Sequence, residues 1–547
     1  MYNSCGVRKP QSAGWKERVY LVQQSYWQGH AAITMTQQDQ ITTSLKNRLQ
    51  YMRESTRETL KMSADIVKQL DERILHQHGL SEKEHFSNSV KSISVQCTDN
   101  MITFAEQVMS ESMNSLVQKP PCNFQVVAIG SLARGEATPY SDLEYMFLIQ
   151  MKSPDTIAYF ERLAMTSYFL IGNLQETKLS YMAIKELEGW FDDKAINGFK
   201  IDGLAPGAGN IPTGNGSAET KNHFILTPED LASKYESVLN NPVEKEALRG
   251  DLTAMLSYMK PIFSYCGEDA EGVNSKPDLL GKSRQLMTNI VQSQSRTSIN
   301  VKMLEADIKK FNFVPDTKLK ERGFTIDVKK QLYRFPSILL FDLSIVFGVR
   351  AESAWQTTRQ LLTEGKTSTQ LSQVLEFVLA CACFIRLSAY LYHNSHDDRI
   401  SVADAEINPG REVAPQHRRW FVPVELFISL CDDMIPLKKQ LKSYNFVNTS
   451  LLLLETDPFA LQLSKIQTLH YCGRHRDALN ELNKVFGSDL IANCGSVIHA
   501  VEGSDGLEAL VTLAEVLIQC SEYRAALEYS SHLYNSDKLL TDNVVRL

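Results

Sequence analysis

At 547 residues, and with roughly 100 to 200 residues per domain, the chain has room for two to four domains, which argues against a single fold. Lys and Arg number 57 against 64 Asp and Glu, a net charge of −7, so bulk nucleic acid and anionic membrane are poor candidates for the main partner. Hydrophobic residues at 43% and charged residues at 22% exclude wholesale disorder, a collagen-like chain and a disulfide scaffold. The ten cysteines are scattered. Their closest pair, Cys381-x-Cys383, sits in an apolar helical run, so the spacing of a zinc knuckle is missing and a reducing compartment is expected. The opening MYNSCGVRKPQSAGWKERVYL lacks the apolar core of a secretory signal, and the longest apolar run, Phe377 to Ile385, is broken by Arg386. A soluble, cytoplasmic protein is the expectation.

From Thr36 to Ile74 the chain is rich in helix formers. Ile41, Leu45, Leu49, Met52, Leu60, Ile66 and Leu70 recur mostly at three- to four-residue steps, predicting one long amphipathic helix or a pair. A second helical pattern runs from about Glu82 to Leu116 and ends at Lys119-Pro120-Pro121, a boundary signal. The texture then changes. Phe124 to Ile129 (FQVVAI) is short, apolar and β-branched, ends in Gly130-Ser131, and is followed after a turn-rich insert by Leu143 to Ile149. Two buried strands are predicted. Gly198 to Gly203 reads as a third, followed by the glycine-rich LAPGAGNIPTGNG, a flexible loop or a linker. From about Thr227 to Tyr444 the pattern is predominantly helical, with apolar blocks at Ile338 to Phe347 and Val374 to Leu391.

In the last hundred residues HYCGRHRDALNEL (470 to 482) aligns with IQCSEYRAALEYS (518 to 530). Cys472, Arg476, Ala478 and Leu479 match Cys520, Arg524, Ala526 and Leu527 at an offset of 48. GRHRDAL resembles the turn and second-helix start of a tetratricopeptide repeat, where a small Ala lets two helices approach closely. The offset exceeds that family's period of about 34, so either an insertion separates the copies or they are two unrelated helical hairpins. The chain stops at Leu547, close after the second copy, and the array is expected to be incomplete or capped by a partner.

The segment that carries chemistry is GSLARGEATPYSDLE, Gly130 to Glu144. In a strand Asp142 and Glu144, at i and i+2, project from one face with Met146 and Leu148, while Leu143, Tyr145, Phe147 and Ile149 take the other. Paired carboxylates repel unless a cation lies between them, and hard oxygen ligands suit Mg²⁺ or Mn²⁺. The glycine before Ser131 permits close approach of backbone to a ligand, so N–H groups and the Ser131 hydroxyl suit a phosphate. These residues resemble the signature of the polymerase-β-like nucleotidyltransferase superfamily, a Gly-Ser turn followed by an acid-x-acid strand. Within it, the fifteen residues look most like the catalytic part of bacterial PII-protein uridylyltransferase and its relatives.

The resemblance implies that Gly130 and Ser131 hold the triphosphate, that Arg134 supports phosphate binding or the turn itself, and that Asp142 and Glu144 coordinate divalent ions. It also implies a third carboxylate on a later strand to orient and deprotonate the acceptor. Asp202 in FKID is the candidate, because Lys200 and Asp202 share a face. The bacterial branch has aspartate where this chain has Glu144, and the extra methylene moves the carboxylate by roughly 1 Å. Residues 328 to 348 and the later helical stretch resemble the family's substrate-side domain. Arg386 and His393 fall on one face of that stretch, where a structural role for each is the simpler reading, and Lys329, Lys330 and Arg334 read as solvated charge. The family's phosphohydrolase needs a His...His-Asp...Asp set, whereas His396-Asp397-Asp398 lacks an upstream partner and reads as a loop.

The expected fold is α+β: a small mixed-sheet nucleotidyltransferase domain embedded in a mainly α-helical chain, with helical-hairpin repeats at the C-terminus. The expected regions are 1–117, a helical leader; 118–230, the nucleotidyltransferase domain; 231–445, the substrate-side helices; and 446–547, the repeat-like tail. The expected activity is Mg²⁺- or Mn²⁺-dependent transfer of UMP, or of AMP, from UTP or ATP to an acceptor, a protein by the family resemblance, with neither long nucleic acid nor membrane as partner. The competing expectation is an inactive nucleotidyltransferase-fold scaffold that binds partners through its C-terminal helices.

Overall fold

The computed structural model describes residues 24–26, 29, 33–73, 80–176, 198–201, 212–213, 224–240, 258–267, 278–294, 298–311, 325–349, 351–401, 420–446, 451–453, 458–471, 474–486, 506–520 and 526. Helix formers at the start give α1 (Met35–Arg73) and α2 (Leu80–Asn114), and the prolines at 120 and 121 separate them from β1 (Phe124–Ala128). A single short turn of helix, α3 (Gly130–Arg134), leads on to β2 (Tyr145–Ile149), α4 (Pro154–Gly172), β3 (Ile225–Leu226), α5 (Pro228–Asn240) and β4 (Lys260–Tyr265). Next come α6 (Leu279–Gln294), α7 (Ser298–Lys310), β5 (Thr325–Asp327) and a π-turn, Val328–Tyr333, that runs directly into α8 (Arg334–Phe347). The remainder comprises α9 (Ala354–Thr363), α10 (Thr369–His393), β6 (Arg399–Ser401), β7 (Trp420–Phe421), α11 (Val424–Ser443), α12 (Pro458–Tyr471), α13 (His475–Phe486) and α14 (Gly506–Gln519). The fold is α+β and mainly helical, as the patterning predicts.

The first sheet has the order β3-β2-β1-β4, with β1 antiparallel to both neighbours and β3 parallel to β2. Alternation along β2 sends Leu143, Tyr145, Phe147 and Ile149 into one core, together with Leu45, Leu49 and Met52 of α1, Phe104 and Val108 of α2, and Phe160 of α4. Met146 and Leu148 enter a different core with Phe224, Leu231, Tyr235, Phe341 and Ile345. Both faces of β2 are therefore buried, and its central residues read as one continuous apolar run for that reason. The acids Asp142 and Glu144 precede the strand on the side of Met146 and Leu148. They sit where the second core ends and the helical half begins.

β4 and the small sheet β5-β6-β7 fall within the stretch the pattern reads as helical. KPIFSY buries only Ile262 outright and carries a proline, and three- and two-residue strands are too short to show a period. α10 is the core of the helical half. It is long and apolar enough to cross a membrane, but 94% of its most apolar window is buried inside the protein. Ser368 caps its start by accepting a hydrogen bond from Leu371 N at 3.1 Å, and Asn394, at φ 50°, ends it in the left-handed region that asparagine tolerates. In the tail α12, α13 and α14 pack together. The two alanines of the aligned segments, Ala478 and Ala526, are both buried.

Candidate active site

The Gly-Ser turn and the acid strand converge through backbone pairing. Ile129 N donates to Glu144 O at 3.0 Å, and Leu143 N donates to Lys200 O at 2.7 Å. Leu143 also forms a parallel bridge with Ile201, so the acids lie between the end of β1 and the 198–201 segment. Gly130 has φ 65°, and a Cβ built there would stand 1.4 Å from Glu144 Oε2. Glycine is required twice over, for the left-handed backbone and for the carboxylate lying against it. Asp142 is held two residues earlier by a turn in which Ser141 N donates to Thr138 O at 3.0 Å and Thr138 N donates to Ser141 Oγ at 2.8 Å.

Asp142 Oδ1 stands 3.8 Å from Lys200 Nζ and 3.8 Å from His396 Nδ1. His396 is buried, its ring lies 4.6 Å from that of Tyr390, and its Nε2 is 3.7 Å from Asp398 Oδ2. Burial, and then the positive charges of Lys329, Arg386 and Lys200, push its pKa down from 6.5 to about 2, so the ring is neutral at physiological pH. The loop expected at 396 to 398 is present. What the sequence does not reveal is that it delivers His396 to the acids, since 254 positions of chain separate it from Asp142. Arg386 is buried on the same side, its guanidinium 4.3 Å from the Tyr333 ring, and it donates to Tyr390 Oη at 3.2 Å. His393 lies away from the acids, its Nε2 3.3 Å from Arg399 O.

Arg134 is engaged within the protein. Its Nε donates to Glu136 at 2.9 Å and its Nη2 to Tyr333 Oη at 3.0 Å. Tyr333 and Ser337 in turn donate to Glu136, which is buried. Burial opposes the guanidinium charge, but Tyr333 and Glu136 outweigh it and raise the Arg134 pKa well above its ordinary value. The contacts tie the turn after α3 to the start of α8. Ser131 is buried at the head of α3. Lys329 is half-buried, Lys330 is exposed, and its ammonium lies 3.4 Å from Asp327. Asp202 lies outside the described residues, although Ile201 immediately before it pairs with Leu143.

Among the described residues no group of three His, Cys, Asp or Glu side chains could by itself hold a metal ion. The acid pair supplies two carboxylates with hard oxygen donors, and Mg²⁺ commonly uses one or two carboxylates plus substrate phosphates. A glycine-serine turn beside two acids that lead into a strand of a small mixed sheet is the arrangement that the sequence resemblance to nucleotidyltransferases anticipates. A family model described as "Putative nucleotidyltransferase DUF294" matches residues 72–175, the stretch of this chain that includes the turn, both acids and Arg134. No curated protein matches the chain. The match supports a nucleotidyltransferase domain, with nucleotidyl transfer as its activity in general.

Proposed function

We propose that the protein is a divalent-metal-dependent nucleotidyltransferase of the PII-uridylyltransferase-like kind, moving UMP, or AMP, from UTP or ATP to a protein acceptor. The observation that carries this reading is the apposition of the Glu144 carboxylate and Gly130, with Asp142 two residues before it. Asp142 and Glu144, joined by Asp202, would hold Mg²⁺ or Mn²⁺, which when bound supplies charge neutralisation and template effects on the phosphates. Gly130 and Ser131 present backbone N–H groups and a hydroxyl to the triphosphate. The acceptor hydroxyl forms a new bond to the α-phosphorus as the bond to the pyrophosphate oxygen breaks, and Asp202 takes the hydroxyl proton. Arg134 serves the turn, since its donors already satisfy Glu136 and Tyr333. Nothing in the phosphate contacts selects a base, so uridylyl rather than adenylyl transfer rests on the family resemblance alone.

The C-terminal helices, read as tetratricopeptide-like, recruit the acceptor. A scaffold without activity is the second reading. It is favoured by Lys200, whose ammonium lies 3.8 Å from Asp142 Oδ1, and by the neutral His396 ring, whose Nδ1 lies 3.8 Å from the same oxygen. Incubation with α-labelled UTP or ATP and Mg²⁺ or Mn²⁺ separates the two. Label on a protein acceptor with the native chain, reduced at least about 100-fold by Asp142→Asn, is expected, in line with the loss of a group that acts on the transition state. If the native chain gives no label above the background of the Asp142→Asn variant across acceptors, the scaffold remains. Equal label after the substitution removes Asp142 from the site.

A further inference from the structure

α1, which precedes the matched residues 72–175 except for its last two positions, reaches the site. Arg53, on its buried face, donates through Nη1 to Glu176 Oε1 at 2.9 Å and through Nη2 to Glu176 Oε2 at 2.5 Å. Nη2 also reaches Pro139 O at 3.3 Å, and the guanidinium lies 4.2 Å from the centre of the Tyr140 ring. Arg53 therefore touches the turn two and three residues before Asp142. Its acidic partner grips the other side of the site: Gly198 N donates to Glu176 O at 3.0 Å and Phe199 N to Glu176 Oε2 at 3.3 Å.

Two details show that this junction is built rather than incidental. Gln175 takes φ 57°, turning Glu176 back under the chain, and a Cβ on Gly198 would stand 2.0 Å from Glu176 Oε2 and 3.3 Å from Arg53 Nη2. The ion pair is nearly enclosed, with side-chain exposures of 9% and 15%. One turn further along α1, Arg57 donates to Leu391 O at 3.3 Å, and Tyr140 donates to Asn394 Oδ1 at 2.6 Å. The acid turn, the 198–201 segment and the end of α10 that leads to His396 all meet on one face of α1.

We propose that Arg53 is a positioning residue of the proposed transfer site: through Glu176 it sets the 198–201 segment, and through Pro139 and Tyr140 the acid turn, in mutual register. A planar fork that binds both carboxylate oxygens fixes direction as well as distance, which an ammonium cannot do. The inference rests on the nucleotidyltransferase reading for its consequence but not for its geometry, and the test separates the two. In the full-length chain, hydrogen exchange is measured at the Gly198 and Phe199 amides, and Mn²⁺ affinity by paramagnetic resonance, for the native protein, Arg53→Lys, Gly198→Ala and Asp142→Asn.

With Arg53→Lys, exchange at the two amides rises about 10-fold or more as the local opening becomes easier. Mn²⁺ affinity falls about 10- to 100-fold, the usual effect of losing a residue that orients ligands. Gly198→Ala gives the same pattern, while thermal unfolding of both variants stays cooperative. A merely structural Arg53 lowers the melting temperature and leaves Mn²⁺ affinity where it was, which overturns the proposal, as does unchanged exchange in Arg53→Lys. If the native chain and Asp142→Asn bind Mn²⁺ alike, the metal-site reading fails, and the exchange measurement alone then decides whether Arg53 sets the 198–201 segment.

Discussion

Gly130 shows how one missing side chain shapes a site. An alanine there meets the left-handed backbone, costing about 1–2 kcal/mol, and its Cβ occupies the position of Glu144 Oε2. Gly130→Ala is expected to lower stability by at least that amount in urea unfolding and to abolish Mn²⁺ binding, with Glu144 displaced. Glu144→Asp shortens the side chain by one methylene, so the carboxylate withdraws from Gly130. The double variant Gly130→Ala/Glu144→Asp is then expected to recover at least about 1 kcal/mol relative to the sum of the single changes, the sign of coupling between residues in contact. Gly130, Ser131, Asp142 and Glu144 were legible in the sequence because they lie within fifteen residues, joined by one short helix and one turn. His396 and Arg53 were not, because nothing local distinguishes a histidine that a loop carries to a remote carboxylate from one in solvent.

The helices carry a second pair of neighbouring acids, Asp432 and Asp433 on α11. Lys83 of α2 donates to Asp433 at 2.7 Å, and Lys465 of α12 and Glu481 of α13 also face the pair. Burial first, and then the negative charge of Asp433, raise the Asp432 pKa from 3.8 to about 7. An acid whose folded pKa exceeds its unfolded value binds more protons in the native state, so stability falls as pH rises between about 4 and 7. Asp432→Asn is expected to come closest to the native chain near pH 4 and to exceed it by about 1–3 kcal/mol at pH 8, as measured by urea unfolding at both values. Element existence was readable for α1, α2, β1, β2, α8 and α10, whose apolar runs are long or bounded by strong turn residues. β4 to β7 were not readable, because their stability comes from pairing with distant partners rather than from any period of their own.

Across the whole molecule, α1 belongs to the same core as the first sheet, since Leu45, Leu49 and Met52 are buried with Phe124, Phe147 and Phe160. A chain beginning at residue 74 would expose that apolar face and leave Glu176 without its buried cation, a loss of about 3–5 kcal/mol for the ion pair alone. It is expected to bind hydrophobic dye and to unfold without a cooperative transition, a result that calorimetry checks. The helical leader that the sequence marked as a separate region is thus joined to the acids by packing and by charge. One further consequence comes from the π-turn of Val328–Tyr333, whose backbone bonds span five residues where an α-helix spans four. It holds one residue of slack between β5 and α8. Deleting one residue there lets an ordinary helix form in its place, and because the extra residue is what the wider turn absorbs, α8 keeps its phase on the core. The segment is thus a place where the chain between β5 and α8 can lose one residue without turning α8 away from its core.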